Sequence, residues 1–116
     1  MPLGLPVAVG IPITMEPVSS WLDTGSNWVR LLDLTDARTQ VRRADATVTC
    51  RVEAKDGTPA LGPITLSAIV GKPGSYEAVV NDSRFRVDSA VVLTITANTP
   101  DGAQGIFART LRVVRV

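Results

Sequence analysis

Histidine is absent from the 116 residues, and cysteine occurs once, at position 50. Those two counts close off most familiar chemistry. One sulfur without an imidazole builds neither a Cys/His zinc site nor an intrachain disulfide. It also leaves no Ser-His-Asp or Cys-His nucleophile arrangement. Cys50 itself lies in phase with the apolar positions of an alternating run, so the expectation is a buried, inert thiol. Among the acids, Asp33 with Asp36, and Asp82 with Asp88, sit where loop oxygens could gather. Calcium takes roughly six to eight oxygens, and no dense ligand loop is present. Solvated loop carboxylates are the plainer expectation. A glycosidase-like carboxylate pair would lack an aromatic sugar platform, since aromatics are 4% of the chain. Gly71-Lys72-Pro73 has neither the hydroxyl nor the helix of a phosphate loop, and Asn81-Asp82-Ser83 is a glycosylation sequon without a secretory context. The sequence therefore predicts no catalytic residue, no metal and no cofactor.

The arginines are the remaining candidates. Arg38, Arg42 and Arg43 form one cluster; Arg109, Arg112 and Arg115 form another in a terminal stretch without acids. Arg109 and Arg115 share strand parity and Arg112 faces the other way, so no single-faced phosphate stripe forms, and no aromatics interleave for base stacking. Contacts to carboxylates of a neighbouring subunit are one reading; a solvated edge whose charges blunt unwanted strand pairing is the other. With 12 Lys+Arg against 11 Asp+Glu, the net charge of +1 points to neither nucleic acid nor membrane.

The elements that carry these residues read as strands. Val, Ile and Thr supply 34 of the 116 residues, and β-branched side chains fit a pleated surface. Ala46, Val48, Cys50, Val52 and Ala54 alternate with polar residues over 45–56, and Asp56-Gly57 ends the run with turn chemistry. Further runs follow: Trp28 to Leu34, Ile64 to Val70, Tyr76 to Val80, a short Phe85–Val87, Val91 to Asn98, and Ile106 to Val116. Turn signals recur about every ten residues. The pattern predicts an all-β, antiparallel, immunoglobulin-like sandwich of about seven strands, without the usual inter-sheet disulfide.

Residues 1–22 differ from the single domain expected over 23–116. Pro2, Pro6, Pro12 and Pro17 are half of the chain's eight prolines, which argues against helix. No basic stretch opens the segment as a secretory signal would, and its apolar run is too short for a membrane span. Leu3, Leu5, Val7, Val9, Ile11 and Ile13 alternate with small or polar residues, so an extended arm with one apolar side is expected. It either folds back as a strand of its own domain or reaches a neighbouring subunit. These six residues, with Trp21, Arg109, Arg112 and Arg115, are the candidate partner-binding set.

From Trp28 onward the order of motifs resembles small immunoglobulin-like virion proteins of tailed bacteriophages. The residues that carry the resemblance are Leu34-Thr35-Asp36-Ala37, Asp45-Ala46-Thr47-Val48-Thr49, Asp56-Gly57-Thr58, then Gly71, Pro73, Gly74, Ser75, Tyr76 and Glu77, then Thr96-Ala97 with Gly102 and Gly105. The proline-rich arm with Trp21 and Trp28 has no counterpart in that pattern. The resemblance implies a non-enzymatic virion component made in the host bacterial cytoplasm. Its expected partners are the major capsid protein or other virion subunits, with self-association. A capsid decoration (cement) protein is the first expectation, a head–tail connector or tail subunit the second, and a carbohydrate- or adhesion-binding module the third.

Overall fold

The computed structural model describes residues 9–10, 20–22, 26–81 and 84–114, and these are all-β. The strands are β1 (Val9–Gly10), β2 (Ser20–Leu22), β3 (Ser26–Leu31), β4 (Thr35–Asp36), β5 (Thr47–Ala54), β6 (Ala60–Ala68), β7 (Tyr76–Asn81), β8 (Ala90–Asn98) and β9 (Gln104–Val114). Six of them form an antiparallel sheet in the order β9-β8-β5-β6-β7-β3, curled into a half-barrel. β2 adds to β9 in parallel as a seventh strand, and β1 pairs with β4 in a separate two-stranded ladder.

Period-two alternation decides which face turns inward. On β5 the buried residues are Val48, Cys50 and Val52; on β8 they are Val91, Leu93, Ile95 and Ala97. Register places Cys50 beside Ile95 and Val52 beside Leu93, so these rows abut across the ladder. Val29 and Leu31 of β3, Leu66, Tyr76, Val80, Leu111 and Val113 complete the concave side. Burying each large aliphatic side chain contributes roughly 1.5–3 kcal/mol. The convex side carries threonines, with Thr49 flanked in register by Thr65 and Thr96.

The curl begins where β6 changes partners. Its first part pairs with β5, whereas Ser67 and Ala68 pair with β7. Between Cys50 and Val52 the β5–β6 register shifts. Gly62 sits opposite with φ +109, and a Cβ there would stand 2.8 Å from the Cys50 carbonyl oxygen. The strands approach too closely for any other residue.

Three expected strand regions end differently, the first being the run from Trp28 to Leu34, which starts at Ser26 and stops at Leu31. Phe85–Val87 is not a strand. Phe85 is buried in the core, and the chain turns after it, with the Ser89 N–H donating to the Arg86 carbonyl (3.1 Å) and Asp88 at φ 68. Two apolar residues two apart mimic a strand, but here one plugs the core from a turn. The run ending at Val70 stops at Ala68. The Lys72 N–H donates to the Ile69 carbonyl and Gly71 takes φ 81, which leaves Val70 97% exposed at the tip of a tight turn.

Candidate interaction surfaces

Arg43 organises one end of the domain. Its Nε donates to Asp45 Oδ1 (3.0 Å) and Nη2 to Asp45 Oδ2 (2.9 Å). Nη1 and Nη2 donate to the two oxygens of Asp101 at 3.2 and 3.1 Å, and Nη1 also reaches Asp36 Oδ2 at 3.0 Å. A guanidinium has five N–H donors in a fixed fork, and here every one has an acceptor. The backbone supports the same arrangement. The Arg43 N–H donates to the Leu34 carbonyl, the Leu34 N–H donates to the Gly74 carbonyl, and the Tyr76 hydroxyl donates to the Arg43 carbonyl at 2.7 Å. Loop 36–45, the turn after β8 and the turn before β7 are thereby held as one rigid surface.

The charges follow from that geometry. Arg43 holds Asp101 well below the usual carboxylate range, with the Thr99 hydroxyl adding to the effect. Asp45 is lowered chiefly by Arg43, and Asp36 chiefly by the Arg38 backbone N–H. The Arg43 guanidinium is correspondingly raised. Arg38 also approaches Asp36 (3.5 Å), and Arg42 pairs with Asp33 (3.3 Å). The first arginine cluster thus finds carboxylates within its own chain, and Asp33 and Asp36 serve as arginine partners. Among the described residues no group of three or more His, Cys, Asp or Glu is placed to hold a metal. Cys50 is buried, and desolvation pushes its thiol up to about 11.

A second surface lies on the convex side of the β3–β7 ribbon. Trp28 and Val79 are register partners, 45% and 44% exposed. The next pair on this face is Arg30 and Glu77, joined at 3.1 Å, and the Arg30 guanidinium stacks over the Trp28 ring 5.0 Å from its centroid. The cation orients the indole and covers part of it without removing it from solvent. By sequence Trp28 falls on a strand but outside the candidate partner-binding set. A signal was available: Trp28 and Arg30 share strand parity opposite to that of Val29 and Leu31.

The third surface is the rim formed by β9. Arg109 and Arg112 are exposed there, on opposite faces of one strand. Neither has a carboxylate within ion-pair distance among the described residues. Of the arm candidates, Val9 lies in β1 opposite Asp36, and Trp21 lies in β2 opposite Val113, both paired within the chain. Leu3, Leu5, Val7, Ile11, Ile13 and Arg115 fall outside the described residues. β1 and β2, which hold Val9 and Trp21, both approach β9, and β2 also approaches β3, the strand that carries Trp28.

Compared with known proteins, the chain matches no family model, and no curated protein matches it.

Proposed function

We propose that this chain is a non-enzymatic structural protein of a phage virion, an immunoglobulin-like domain of the capsid decoration kind that binds a repetitive protein lattice. The resemblance from Trp28 onward supplies the class of protein. The observation that carries the binding role is the Trp28–Val79 pair. An indole and a valine stand side by side on a rigid sheet face, and half-exposed aromatics of this kind anchor protein interfaces. The arginine-pinned loops suit the same role, because docking to a repeated lattice costs least when the surface is already ordered. Modest individual contacts then stabilise a shell through occupancy and avidity.

The test is a count of copies on purified particles, combined with Trp28→Ala. The reading expects occupancy that follows shell symmetry and falls when the indole is removed. A single ring at one vertex would replace it with the connector reading. Specific binding on a glycan array, without binding to particles, would replace it with the carbohydrate-binding reading.

A further inference from the structure

Besides the Trp28 face, the β9 rim has the geometry of a strand-adding site. Val113 exchanges backbone hydrogen bonds with the segment leading into β8: its carbonyl accepts from the Asp88 N–H (2.8 Å), and its N–H donates to the Ser89 carbonyl (3.0 Å). Backbone groups alternate direction along a strand. Odd-numbered residues of β9 therefore face β8, and the N–H and C=O groups of Ile106, Ala108 and Thr110 point away from the sheet. β2 covers only Arg112 to Val114 of that edge, and β9 has no other strand partner besides β8 among the described residues. Burial agrees. Ile106 is 55% exposed, and Ala108, Arg109 and Thr110 are three consecutive exposed residues inside an alternating strand.

We propose that Ile106–Thr110 is a docking edge for an extended, acidic segment of another protein, which adds as a further strand. The backbone supplies three outward donors and three outward acceptors, while Ile106 offers apolar contact on the convex face. Arg109 and Arg112 flank the edge on its two faces and supply the charge preference. A second copy of this chain fits poorly. Two-fold antiparallel pairing centred on Ala108, Arg109 or Thr110 sets the two Arg109 side chains opposite or on the adjacent diagonal, where like charges repel. An acidic strand meets the same arginines favourably, and main-chain bonding of this kind gives affinity with little demand on sequence.

The test uses the full chain and a short synthetic peptide alternating valine with glutamate, followed by amide NMR and hydrogen exchange. The expected result is slowed exchange at the Ile106, Ala108 and Thr110 amides. Affinity should fall about five-fold for each of Arg109→Gln and Arg112→Gln, the scale of an exposed ion pair, and fall as salt rises. Ala108→Pro, which removes an outward N–H and no N–H bonded to β8, should abolish binding; the exchange pattern of the unaltered chain gives the same answer should that variant not fold. Equal binding of a valine–lysine peptide would overturn the charge preference. Unchanged exchange at all three amides, or self-association through this edge in place of peptide binding, would overturn the site.

Discussion

Arg43 and Asp101 lie 58 positions apart in sequence and are joined by two parallel hydrogen bonds of 3.1 and 3.2 Å. That clasp ties the loop before β5 to the turn between β8 and β9, and Arg43 extends it to Asp36 and Asp45. Removing the guanidinium takes from the three carboxylates the cation they share. Arg43→Ala is expected to cost about 1–3 kcal/mol in urea unfolding, the scale for hydrogen bonds to charged groups. Arg43→Lys should recover little of it, since an ammonium cannot fill both forks.

The same cluster sets the acid limit. Asp36, Asp45 and Asp101 are all lowered in the folded chain. Their contribution is fully present above the ordinary carboxylate value near 4 and is lost as pH falls through the lowered folded values. A thermal-unfolding series from neutral pH downward should therefore begin to lose this contribution only beneath about pH 4. Asp101→Asn should flatten part of that fall. An unchanged acid profile in this variant would contradict the assignment.

At the alkaline end Cys50 takes over. Its thiol is pushed up to about 11 from an ordinary value of 9.0 by burial. The unfolded chain then loses this proton first, so stability is retained below pH 9 and declines as pH rises toward 11. Cys50→Ala should remove that component while costing some core packing. In the unaltered protein, thiol reagents at neutral pH should label Cys50 at the rate of unfolding.

Much of the fold was legible because the two central strands alternate without interruption: Val48, Cys50 and Val52 on β5, and Val91, Leu93, Ile95 and Ala97 on β8. Asp56-Gly57 marked the turn that ends β5. The Phe85 turn was not legible, since one buried aromatic looks the same in a short strand and in a plug. The Arg43 cluster was hidden for a different reason. Loop charges carry no period, so nothing linked Arg43 to Asp101, and the neighbouring arginines read as a basic patch. The half-barrel curl depends on β6 changing partners, which no local pattern encodes. Trp28 could have been found by its parity, but exposure at a sheet rim depends on which strands flank it.

Backbone geometry gives an independent check on the pinned end. Gly74 has φ +82, and a Cβ there would stand 2.9 Å from the Leu34 carbonyl oxygen. Gly102 has a similar φ of +93 with open space around it. Gly102→Ala should cost about 1–2 kcal/mol, the left-handed penalty alone. Gly74→Ala should cost clearly more, because Leu34 and Arg43 belong to the same bonded frame. Equal losses in urea unfolding would contradict the close packing of the two loops.

The function proposed for this domain is docking on a protein lattice through a pre-formed surface anchored at Trp28. Imaging purified particles by cryo-electron microscopy, with the copies of this chain counted, tests it most directly. Such docking predicts density repeated with the symmetry of the shell, Trp28 at the contact, and loss of that density in Trp28→Ala particles whose domain remains folded. Absence of the chain from particles, or repeated density unchanged by the substitution, would contradict it.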